Sequence, residues 1–119
     1  MRKDKVRAAQ LSDRPSPPAA MVVLTVRVAE RKRAAFFRFI TRAFRFYERP
    51  GGIHMSLFED IERPGTFVEI ASYDTLADYR SDQERVRSTP ESRRILEEWR
   101  ALLVGPPEVR LVKKVGRRR

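Results

Sequence analysis

The sequence predicts an α+β domain over residues 21–115, with a β-α-β-β-α-β order and an antiparallel sheet, the plan of a ferredoxin-like half-barrel. Three observations predict it. A β-branched run at 21–28 gives way to a long stretch of helical period. Two further strand-like runs flank the turn pair Pro64-Gly65. A second helical stretch then leads to a last alternating run at 108–115.

The first strand is Met21 to Val28, with Val22, Leu24, Val26 and Val28 on one side and Val23, Thr25 and Arg27 on the other. Two partly apolar faces call for cover on both sides, by helices on one and by another sheet or subunit on the other. From about Ala29 to Arg49, Phe36, Ile40, Ala43, Phe44 and Tyr47 recur at three and four residues and share one helix face. Pro50-Gly51-Gly52 ends this helix, because proline cannot continue it and glycine permits the reversed backbone. Strands Ile53 to Asp60 and Thr66 to Tyr73 follow as an antiparallel hairpin.

Thr75, with Asp78 three residues later, reads as a capping box for the next helix, whose inner face is marked by Leu76, Tyr79, Gln83 and Val86. Thr89-Pro90-Glu91 is a second start signal, so this helix breaks there. The continuation puts Ile95, Leu96, Trp99, Leu102 and Leu103 on one side, and Gly105-Pro106-Pro107 stops it. Glu108 to Val115 is the fourth strand, placed near a sheet edge where Lys113 and Lys114 discourage further pairing.

Residues 1–20 combine charges with Pro15, Pro17 and Pro18 and offer little apolar surface, which reads as a flexible basic tail; residues 116–119 form a second basic tail. Met21 stands at the head of the first strand, so a natural chain starting there is the alternative to one that uses the upstream residues. A chain of 119 residues without cysteine leaves no room for disulfides or thiolate metal sites. No apolar run approaches the roughly 20 residues of a membrane span. The first residues also lack an apolar stretch of signal-peptide length, so a cytoplasmic location is expected. The net charge of +10 suggests a phosphate-bearing or otherwise anionic partner, and part of the excess lies in the two tails. Glycine-rich phosphate loops, GxSxG elbows, paired catalytic carboxylates and His/Asp/Glu ligand clusters are missing, which removes support for common hydrolases and transferases and for a metal site.

The strand MVVLTVRV, the aromatic helix closing on ERPGG, the hairpin IHMSLFEDIERPGTFVEIASYDT and the helix opening LADYRSDQERV resemble, in that order, the antibiotic-biosynthesis-monooxygenase type of dimeric α+β barrel over residues 21–115. The resemblance implies a homodimer, a mostly apolar pocket between sheet and helices, and cofactor-independent oxidation of a quinol or aromatic polyketide. It also departs from the family pattern. Aligning the strand-three aromatic to Tyr73 puts Ala71 where a Glu commonly stands, with Glu69 two residues earlier. Residues 74–88 contain no His, and residues 21–28 contain no Asn, which argues against haem degradation.

Against that background His54, the single histidine, is the candidate base for a phenolic substrate, and Arg27 the candidate stabiliser of a developing anion. A histidine at a strand end also simply meets solvent, and Arg27 also pairs readily with Glu69 in a subunit interface. Ser56 and Phe58 share the side of His54 by alternation, and Glu69 and Tyr73 share one side of strand three; together they are candidates to line a cavity. Tyr79 and Trp99 sit on the inward stripe, as core residues or as contacts of a small aromatic ligand. The alternative function is a non-enzymatic module that binds nucleic acid or an anionic partner through Arg31, Arg38, Arg42 and Arg45, or a degenerate family member acting as a dimeric scaffold. No cofactor is called for.

Overall fold

A computed structural model describes residues 17–116. The elements follow the expected order: β1 (Ala20–Arg27), α1 (Arg33–Glu48), β2 (Ile53–Glu59), β3 (Thr66–Tyr73), α2 (Leu76–Ser88), α3 (Pro90–Leu102) and β4 (Glu108–Lys113). Most of the predicted amino-terminal tail, and the last three residues of the carboxyl-terminal one, lie outside the described residues. The first helix starts later than the apolar period suggests, because Glu30–Lys32 form a 3-10 turn ahead of α1. The fourth strand ends at Lys113 rather than Val115.

All pairings are antiparallel, and the strand order is β2-β3-β1-β4. The register decides which side chains share a face. Glu69 lies opposite Leu24 and Leu57, and Tyr73 opposite Ala20 and Ile53. Paired residues point to the same side of a sheet, so the helix-covered face carries Val22, Leu24, Val26, Met55, Leu57, Phe67, Glu69, Ala71 and Tyr73. Val26, Phe36, Phe39, Ile40, Ala43, Phe67 and Trp99 form the main core cluster beneath α1 and α3. On the open face Met21, Val23, Thr25, Val68 and Ile70 stay half-buried, while Phe58 is exposed.

Local chemistry sets the boundaries. Thr75 accepts from the Asp78 amide at 3.0 Å, and the Asp78 carboxylate accepts from the Thr75 amide at 3.2 Å, closing the predicted capping box. Thr89 takes extended backbone angles, receives the Ser92 amide and places Pro90 in the first turn of α3, so α2 and α3 are separate helices. Gly52 has φ +76°, and a Cβ there would fall 2.6 to 2.8 Å from the Asp78 carboxylate. The turn before β2 thus fits against the start of α2 only with glycine. At the hairpin end, Arg33 grips Glu59 with bonds of 2.7 and 2.6 Å while the Gly65 amide donates to the same carboxylate, which holds its pKa down at about 2.

Two details depart from the sequence reading. Leu76, expected on the inner face of α2, is exposed, and Asp82 is buried on that helix instead. The helices cover β2, β3 and β1 but leave β4 bare, so Val109 and Leu111 are 56% and 61% exposed although they point to the helix side.

Candidate functional site

Between the sheet and the helices lies a cavity of about 260 Å³. Its origin is in small side chains. Glu69, Ala71 and Tyr73 follow one another on the helix side of β3, and the methyls of Ala71 below and Ala43 of α1 leave room that larger residues would fill. Glu69 and Tyr73 are four residues apart along the strand, about 13 Å, and each lines the cavity. The wall between them is apolar: Val22, Leu24, Phe39, Met55, Ile95 and Leu96. Arg100, Pro107 and Val109 line the side next to bare β4.

Glu69 is 5% exposed, and its Oε2 accepts the indole N–H of Trp99 at 2.7 Å. Its Oε1 has no protein donor among the described residues. Burial pushes the carboxyl up to about 7, against a smaller downward pull from the Trp99 bond. A carboxyl poised near neutrality, with one oxygen anchored and the other free, is suited to exchanging a proton with a bound molecule.

A second polar group closes the other end. The Tyr73 hydroxyl donates to Asp82 Oδ2 at 2.5 Å, and Asp82 Oδ1 accepts from Arg85 Nη2 at 3.0 Å. Arg85 in turn donates to the carbonyls of Phe46 at 2.7 Å and Tyr47 at 3.1 Å at the end of α1, where Phe46 also accepts the Arg49 amide at 3.4 Å, and its guanidinium lies 4.3 Å from the centroid of the Phe46 ring. Burial, then the bond to Asp82, raises the Tyr73 pKa far above the usual phenol value. Tyr47, also on the cavity wall, is pushed up to about 12 by burial and by the negative fields of Asp82 and Glu69.

The sheet divides the residues singled out from the sequence. Glu69, Tyr73 and Trp99 line the cavity. Tyr79 stands behind Tyr73, its ring edge-on at 5.4 Å, and does not reach the wall. His54, Ser56 and Phe58 pair with Ser72, Ile70 and Val68, which places them on the open face, and Arg27 pairs with Thr66 on that same face. They do not share a cavity with Glu69 and Tyr73, and Arg27 and Glu69 lie on opposite sides of the sheet. The His54 ring meets Asp74 at 3.1 Å with both side chains largely exposed. Arg31, Arg38, Arg42 and Arg45 are all exposed on the helix layer, with Arg42 bound to Glu98 at 2.8 Å. Most of the positive excess of the chain lies in the ends outside the described residues.

Asp82, Arg85 and Tyr47 were not singled out as site residues from the sequence. Asp82 had one visible signal, a carboxylate three residues after Tyr79 in an otherwise inward stripe. Among the described residues no group of three or more His, Cys, Asp or Glu side chains is placed to hold a metal ion. No helix there is long and apolar enough to cross a membrane.

Solved structures share this fold. SnoaB from Streptomyces nogalater, a cofactor-independent oxygenase, superposes with a TM-score of 0.66 at 19% identity, covering 82% of this chain and 94% of that one. An antibiotic biosynthesis monooxygenase matches with a TM-score of 0.65 at 16% identity, over 82% of this chain and 99% of that one. The fold is that of the antibiotic biosynthesis monooxygenases. A conserved protein from Methanosarcina mazei has it as well, with a TM-score of 0.70, 14% identity and coverage of 82% and 94%. No family model and no curated protein sequence matches the chain. On this monooxygenase fold, the position where the family resemblance leads one to expect a Glu holds Ala71, and the carboxyl stands one step earlier on the same face, at Glu69.

Proposed function

We propose that the protein is a homodimer that binds a small aromatic hydroxy compound in the sheet-helix cavity and oxidises it with molecular oxygen, without a cofactor. The observation that carries this reading is Glu69, a buried carboxyl with one oxygen held by Trp99 and the other free beside an apolar cavity. Taking the hydroxyl proton leaves an electron-rich ring that can be oxidised by oxygen. In an anthrone-like substrate the activated CH₂ becomes a carbonyl: one oxygen atom enters the product, the other leaves as water, and the substrate supplies the electrons. Dimerisation is supported by the apolar open face of the sheet, where Val23, Val68 and Ile70 have no helix above them.

Oxygen uptake across a panel of quinols and anthrones tests the reading. Glu69→Gln is expected to slow turnover by about 100-fold or more, the usual worth of a general base. His54→Ala should leave it unchanged, because His54 is on the other face. Absence of uptake with every substrate, or a fully active Glu69→Gln variant, sinks the proposal.

A further inference from the structure

We infer that Asp82, fixed by Arg85, sets the hydrogen-bonding polarity of the Tyr73 hydroxyl, so that the cavity selects the hydroxyl-bearing form of its ligand over the carbonyl-bearing oxidised form. This deepens the oxidative reading above and rests on it for the identity of the ligand pair.

A phenol hydroxyl has one proton and two lone pairs, and its proton ordinarily turns to whichever acceptor is nearest. Here that freedom is removed. Tyr73 donates to Asp82 Oδ2 at 2.5 Å, a charge-assisted bond in a site where both residues are 5% exposed or less. Asp82 cannot turn away, because its other oxygen is bound to Arg85. Arg85 is itself pinned by two main-chain carbonyls and by the face of Phe46. The chain of bonds therefore runs from the end of α1 to the phenol oxygen, and only lone pairs of Tyr73 remain for the cavity.

At the opposite end the Trp99 N–H is likewise committed, to Glu69. A ligand hydroxyl placed against Tyr73 donates to it. A ligand carbonyl in the same place sets lone pair against lone pair, and a buried acceptor left unpaired is costly. The preference favours substrate entry and product departure. Gln83 approaches the Tyr73 oxygen as a donor and can occupy one of its lone pairs, which leaves the other for the ligand. Tyr47 and Arg100 also line the cavity, and their polar hydrogens can serve either ligand form, so the selection is assigned to Tyr73 and not to the wall as a whole. Asp82 is a positioning residue: it acts through Tyr73.

The test is anaerobic calorimetry with 1-naphthol and 1,4-naphthoquinone on the full chain. Wild type is expected to bind the naphthol about tenfold tighter or more, the worth of one hydrogen bond. Tyr73→Phe keeps the Asp82–Arg85 pair and should bring the ratio of affinities close to one. Asp82→Asn frees the phenol proton to turn toward the ligand and should lower the ratio at least severalfold. A ratio untouched by Tyr73→Phe overturns the inference, as does an Asp82→Asn variant that weakens both ligands equally. If Asp82→Asn does not fold, Tyr73→Phe decides alone. Binding of neither probe to wild type removes the cavity reading and this inference with it. A preserved ratio without any oxygen uptake removes only the oxidative chemistry and leaves the selection standing.

Discussion

Replacing Glu69 by Gln should make the protein more stable above neutral pH and leave it nearly unchanged in acid. The carboxyl rises from an ordinary value of 4.5 to about 7 on folding because burial disfavours its charged form. A raised acid pKa means that the folded state holds the proton more tightly than the unfolded chain does. The favourable contribution is complete below about pH 4.5 and is lost as pH rises through about 7. A shift of that size is worth about 3 kcal/mol, reached when the group is ionised in both states. The amide introduced by Glu69→Gln never ionises, and its carbonyl can still accept from Trp99. Urea unfolding of the two proteins between about pH 4 and pH 8.5 measures the difference directly, and other groups cancel in the comparison. The curves should meet at the acid end and separate by about 3 kcal/mol in favour of the variant at the alkaline end. Trp99 is the single tryptophan and touches Glu69, so its emission should titrate with a midpoint near 7 in wild type and stay flat in the variant. A constant offset between the two curves, or a midpoint close to 4.5, would refute the assignment of a strained carboxyl facing the cavity.

Removing Arg85 leaves Asp82 buried without its ion partner, takes the side-chain donor from the Tyr47 carbonyl and leaves that of Phe46 with only the long bond from the Arg49 amide, so Arg85→Ala should lose about 3 to 5 kcal/mol in denaturant unfolding. The paired change Asp82→Asn with Arg85→Met should recover part of that loss, which distinguishes a stranded charge from lost packing. Gly52→Ala places a methyl against the Asp78 carboxylate at a left-handed φ, and thermal unfolding should show a loss of more than about 1 kcal/mol. On the open face, Ile70→Lys puts a charge into the surface proposed to pair with a second copy; light scattering should then report a monomer where wild type gives a dimer, with the helical signal intact.

The succession of elements could be read from the sequence because its signals are local. Alternation marked the strands, the Phe-rich period marked α1, and Thr75 with Asp78 and Thr89 with Pro90 fixed helix ends through contacts within a few residues. Trp99 and Glu69 were legible as members of the right stripes. The partition of the site was not. Each strand's alternation tells which residues share a side, and only the pairing of His54 with Ser72 and Leu57 with Glu69 decides that the histidine side of β2 faces away from Glu69. A register shift of one residue would have reversed the answer, and nothing in either strand alone encodes it. The burial of Asp82 was equally a tertiary matter: a carboxylate enters an apolar stripe only because Tyr73 comes from β3 and Arg85, held by the end of α1, meets it there. The sequence determined the order of the helices and strands and most of their limits. Tertiary structure alone decided which face holds the cavity and which carboxyls line it, because those depend on contacts between residues far apart in the chain.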